Sequence, residues 1–245
     1  MAGCMMLLFA GAAPAQDAAR LTTKLDVAYL SKYIWRGTVV NPDPVVQPSL
    51  TFALPGGFSY NLWMSANTKS NATARESNLV VENDHTLNYA FTAGKVGVNV
   101  GCVYYAFPHT TLAGTSEFYG NACLGGKFSP TVSVNCDIDE VRGAYFAFCS
   151  GCNRSLSLGK DSLPIGLSAK VGFGTAGYVK RAYPGAPDKA ALLDLLLGAS
   201  STVPLGGHYS LTPLVSYSTI LDKQVSDVLN RPSNFVAGVT VSSSF

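Results

Sequence analysis

The chain has 245 residues, 13% of them charged and 47% hydrophobic, with a formal net charge of +2; that length fits one large domain and requires no second. The charged fraction is about half the ~25% of a soluble domain, and 24 Gly, 12 Tyr and 12 Phe favour strands over helices. A near-neutral balance with no basic run interleaved with aromatics excludes a strong field for nucleic acid, which is not an expected partner.

The chain opens with a short apolar stretch from Met5 to Ala12 that ends in Ala13-Pro14-Ala15. Residues 1–15 are therefore expected to be a signal peptide cut before Gln16, leaving 16–245 as the mature domain. No Lys or Arg precedes the apolar core, and Cys4 lies before it, where a lipid-acceptor cysteine would follow. Further on there is no apolar run of about 18 residues, the length a membrane helix needs. Ala190 to Ala199 comes nearest, but it is too short and carries Asp194. If the chain spans a membrane it does so as a closed barrel, which satisfies every backbone hydrogen bond within the sheet.

Alternation with period two supplies that barrel, since neighbouring strand residues face opposite sides. In the first segment the odd positions Leu25, Val27, Tyr29, Tyr33 and Trp35 are apolar or aromatic, while the even ones hold Lys24, Asp26, Lys32 and Arg36. Segments 46–54, 58–65 and 79–91 alternate in the same way, with Glu82 and Asp84 on the polar face of the last. Eight more follow near 96–107, 115–127, 131–139, 144–157, 164–174, 189–203, 208–219 and 234–245, giving about twelve strands. Short links rich in turn formers, such as Pro55-Gly56-Gly57, Ala93-Gly94-Lys95 and Pro204-Leu205-Gly206-Gly207, take turns with long polar links at 37–45, 66–78, 108–114, 139–143, 175–188 and 220–233. Short turns at one end and long loops at the other are the pattern of an outer-membrane barrel. The final alternating segment stops on Phe245, matching the terminal aromatic that barrel-assembly machinery reads. The competing fold is a soluble β-sandwich or lipocalin-like barrel, in which the apolar face points inward.

The block Tyr29-Leu30-Ser31-Lys32-Tyr33-Ile34-Trp35-Arg36-Gly37, followed by Val46-Gln47-Pro48-Ser49-Leu50, resembles the opening of the TorF-like porins of Gram-negative outer membranes. Leu62-Trp63-Met64-Ser65, Glu82 with Asp84, Val103-Tyr104-Tyr105-Ala106-Phe107-Pro108 and Ser116-Glu117-Phe118-Tyr119 continue the likeness. The resemblance implies a barrel and a pore, with no catalytic residues. Five cysteines after the signal depart from the family pattern.

By strand parity Lys24, Asp26, Lys32, Arg36, Glu82, Asp84, Asp137, Lys170 and Asp194 face the interior and are the pore-lining candidates. Enclosed charges must be paired or wetted. They either line a constriction that selects solutes or neutralise one another and hold the strands in register. Glu82 and Asp84 share one side of a strand, and a salt bridge to Arg36 or Lys32 is the expected arrangement. His85, His109 and His208 are too scattered for a metal site. His85 falls on the outer surface, where an outer-membrane phospholipase carries its Ser and His, but no Gly-Xaa-Ser-Xaa-Gly elbow accompanies it. Cys149-Ser150-Gly151-Cys152 is read as a local disulfide of an oxidising compartment.

The expectation is an all-β, up-and-down antiparallel transmembrane barrel of about twelve strands in the bacterial outer membrane. It would serve small hydrophilic solutes as a passive pore, with no cofactor, metal or catalytic residue. Its surroundings would be outer-membrane lipid and lipopolysaccharide. The alternatives are a non-conducting barrel with a binding or structural role in its loops, and an outer-membrane hydrolase.

Overall fold

The computed structural model describes residues 20–69, 80–158 and 161–245. The expected signal peptide, Cys4, most of the 66–78 link and Gly159-Lys160 lie outside these residues. In chain order the strands are β1 (Thr22–Leu30), β2 (Tyr33–Trp35), β3 (Thr38–Asn41), β4 (Val45–Ala53), β5 (Phe58–Asn67), β6 (Val80–Ala93), β7 (Val96–Ala106), β8 (Thr115–Leu124), β9 (Thr131–Asp137), β10 (Gly143–Leu158), β11 (Asp161–Gly174), β12 (Ala191–Ser200), β13 (Val203–Gly206), β14 (Tyr209–Ile220) and β15 (Ser233–Ser244). Two short helices interrupt the loops, α1 (Ala176–Ala182) and α2 (Lys223–Ser226).

Twelve of these strands form the wall, each antiparallel to its neighbour, while β13 pairs only with β14. The wall closes where β1 meets β15, from Lys24 opposite Ser244 to Leu30 opposite Gly238. Closure leaves no open sheet edge in the wall. Among the described residues no helix is long and apolar enough to cross a membrane.

Parity decides between the two folds that alternation allows. Tyr29 is 50% exposed, Phe118 56% and Phe235 58%, all pointing away from the lumen, whereas Ala28, Gln47 and Glu117 are buried inside it. The apolar face looks outward in a band far larger than a soluble monomer exposes, so the soluble sandwich and the lipocalin-like barrel are set aside. Aromatics cluster on this outer face, with the Phe58 and Tyr89 rings 4.7 Å apart.

Where the structure departs from the alternation, the chain has left the wall. The first segment does not run on to Arg36: β1 ends at Leu30, and β2 and β3 form a separate hairpin folded inside the barrel. Tyr33 and Trp35, expected to face outward, are buried within it. The hairpin turns at Arg36 and Gly37, both with positive φ (45° and 81°), the two-residue geometry that suits the twist of paired strands. The expected strand over 189–203 divides into β12 and β13, and the turn after β13 falls at Gly206 and Gly207, both with positive φ. The 175–188 link contains α1, too short for its periodicity to show in sequence, with Tyr178, Val179 and Ala182 buried. At α2 the Asp222 side chain accepts from the Gln224 and Val225 amides. A hydrogen bond from Lys189 and those amides hold the Asp222 carboxyl below the usual carboxylate range.

Candidate functional site

The lumen has two unlike halves. Its long-loop half is filled by the β2–β3 hairpin and α1, which pack Tyr33, Ile34 and Trp35 with Tyr178, Val179, Tyr183 and Leu193 into one apolar cluster. Its short-turn half, which holds both ends of the closed wall, is an open chamber. One cavity there has a volume of about 460 Å³ and is lined by Lys24, Asp26, Asn61, Trp63, Asp84 and Thr240 among others.

Arg36, at the tip of the inward hairpin, fastens the filling to the wall. Its two terminal nitrogens donate to the two carboxylate oxygens of Glu117 on β8, each at 2.8 Å, the two-pronged geometry that a guanidinium matches best. Nη1 also donates to the Tyr178 hydroxyl at 3.1 Å, and Tyr105 donates to Glu117 Oε2 at 2.9 Å. The guanidinium lies 4.1 Å from the Trp35 ring centroid and 4.4 Å from that of Tyr145, close enough for cation–π attraction. Tyr183 donates to the Arg36 carbonyl at 2.7 Å. A single residue thus ties the hairpin, α1, β8 and β10 together.

A second cluster depends on a bulge. Between Val171 and Phe173 the β11–β12 register shifts, so Leu193 and Asp194 together oppose one residue, Gly172. Consecutive residues then both point inward, and both are buried. Asp194 pairs with Lys170 at 2.9 Å and accepts from the Tyr145 hydroxyl at 2.7 Å. A Cβ at Gly172 would overlap the Asp194 carboxylate and the Tyr145 hydroxyl. Glycine provides the space for this contact.

The pore-lining candidates fall into six places. Lys24 and Asp26 pair at 2.9 Å in the open chamber. Lys170 and Asp194 pair behind the filled half. Glu82 and Asp84 lie buried on β6 and hydrogen-bond each other, Glu82 also meeting Tyr33. Lys32 and Arg36 do not share the even face of a first strand. Lys32 occupies the bend after β1, and Arg36 pairs with Glu117 rather than with Glu82 or Asp84. Asp137 stands directly opposite the inward Glu117 and so shares its face, at the loop end of β9. It organises the rim loop, accepting the Val141 amide at 2.8 Å, the Arg142 amide at 3.0 Å and the Thr115 hydroxyl at 2.6 Å. Glu117 was missed, although it alternates with the outward Phe118 and was therefore legible as interior.

The cysteine pair does not form the expected disulfide. Cys149 and Cys152 are both free thiols on β10. Three positions along a strand put their Cα atoms about 10 Å apart on opposite faces, beyond the roughly 4.4–6.8 Å that a bridge spans. Alkylation of the unfolded protein without reductant should label all five cysteines from Cys102 to Cys152. A mass matching only three labels would restore the bridge. His85 lies on the outer surface, its ring held by the Tyr60 hydroxyl at 2.7 Å and Asn83 at 3.2 Å, neither of them a serine. Among the described residues no group of His, Cys, Asp and Glu has the arrangement of a metal site.

Solved structures share this architecture. A structure described as the KdgM porin is 9% identical over 91% of this chain and 99% of its own, with a TM-score of 0.52. The NanC porin is 10% identical over 89% and 98%, also with a TM-score of 0.52. At such identity the likeness is one of fold, that of outer-membrane porins. No curated protein matches the chain. The family model described as "Bacterial protein of unknown function (Gcw_chp)" matches residues 14–194, most of the chain, and the protein therefore belongs to the Gcw_chp family.

Proposed function

We propose that this protein is an outer-membrane pore for passive diffusion of small hydrophilic solutes, with no chemical step. The observation that carries the reading is the chamber of about 460 Å³, lined mostly by polar and charged residues, inside a barrel whose outer face is apolar, a water-compatible lumen in a lipid-compatible wall. The resemblance of the opening block to the TorF-like porins supports the same reading. Short turns and both ends of the wall would face the periplasm, and the hairpin and α1 would narrow the lumen at its outer end.

The filled half supports a second reading, a non-conducting barrel whose loops bind a partner. Swelling of liposomes that contain the refolded protein separates the two. Pore function predicts swelling in isotonic monosaccharide that falls steeply for a trisaccharide. Liposomes that swell no faster than protein-free ones in either sugar would favour the second.

A further inference from the structure

The wall of the open chamber carries a row of three side chains on adjacent strands. Asp84 on β6 stands directly opposite Trp63 on β5 and Tyr105 on β7, and all three line the chamber. Directly opposed residues lie about 4.5–5.5 Å apart, so an aromatic residue flanks the carboxylate on either side. Asp84 Oδ1 is buried and accepts no hydrogen bond, and the same holds for Thr240 Oγ1, which lines the same chamber from β15.

The charges near this row do not balance. Lys24 is taken by Asp26, Arg36 by Glu117 and Lys170 by Asp194. Among the described residues Glu82 and Asp84 have no cationic partner in an ion pair. Glu82 and Asp84 hydrogen-bond each other and so share a proton; the negative charge left on the pair, with an aromatic residue on either side of Asp84, attracts a cation both by charge and through the ring quadrupoles. It repels an anion, and the enclosed lumen strengthens both effects relative to bulk water.

We propose that the chamber takes small organic cations, seating an ammonium group against Asp84 between Trp63 and Tyr105. The remaining wall suits the rest of such a solute: Asn61, Ser49, Thr86, Ser210 and Thr212 offer hydroxyl and amide groups. A volume of about 460 Å³ lies in the roughly 300–1,000 Å³ range of small-molecule pockets. The proposal rests on reading the lumen as a solute compartment and does not require that it conduct.

The test is calorimetric titration of the refolded protein in a non-ionic detergent. The probes are choline chloride, its neutral carbon isostere dimethylbutanol, and sodium acetate. Choline should bind saturably, the neutral isostere at least tenfold more weakly, and acetate not at all. Asp84→Asn should weaken choline at least tenfold, and Trp63→Leu severalfold, while both variants keep the heat-dependent gel shift of a folded barrel. Should Asp84→Asn not fold, the wild-type contrast between choline and its isostere still decides. No choline binding, equal binding of the isostere, or an unchanged Asp84→Asn would overturn the proposal. Choline binding by a protein that swells no liposomes would remove the pore and leave this site standing.

Discussion

Replacing Arg36 with Met should destabilise the barrel by about 3–5 kcal/mol, because it leaves Glu117 buried without its cation. Glu117 is 2% exposed, and among the described residues its other hydrogen-bond partner is the Tyr105 hydroxyl. The charge has no route to water unless the hairpin moves. Urea unfolding in detergent micelles, followed by tryptophan fluorescence, would measure the loss. The double variant Arg36→Met with Glu117→Gln should recover much of it, since the cost lies in the stranded charge more than in the lost attraction. A single variant as stable as the wild type would mean that Glu117 finds water and that Arg36 does not fasten the hairpin to the wall.

Gly143→Val should cost about 1–3 kcal/mol and release α1 from the wall. A Cβ at Gly143 would overlap the backbone nitrogen and Cα of Tyr178, and a backbone cannot step aside as a side-chain tip can. Since Tyr178 meets both Arg36 and the Tyr145 ring, displacing it loosens the whole filling. Limited proteolysis reads the result. Cleavage within 176–190 should become fast in the variant while the wall stays resistant, and an unchanged digestion pattern would show that α1 is not held at Gly143.

The wall of the barrel was legible because its physics is local: a strand between lipid and water must alternate, and Leu25, Val27 and Tyr29 do. The filling was not. Alternation continues formally through Tyr33 and Trp35, and nothing in their spacing shows that the chain has turned inward after Leu30. Only Gly37, in the left-handed region beside Arg36, marks the hairpin locally. Leu193 and Asp194 show the same limit. Parity would send one outward, but the bulge opposite Gly172 turns both inward, and a bulge is fixed by pairing with another strand. The Arg36–Glu117 pair joins residues 81 apart in sequence, so parity could place each inside without matching them. The Cys149–Cys152 spacing was misread in the opposite way. The disulfide reading needed a local bend, and β10 keeps the segment extended.

Single-channel recording in planar bilayers tests the central claim most directly, with the wild type beside the Arg36→Met, Glu117→Gln double variant. A pore narrowed at one side by a hairpin predicts discrete conductance steps in the wild type. In the double variant, whose hairpin has lost its guanidinium–carboxylate tether, the steps should be larger or longer-lived. Silence from both proteins, each shown to be folded and inserted, would contradict the pore and leave a barrel that works through its loops.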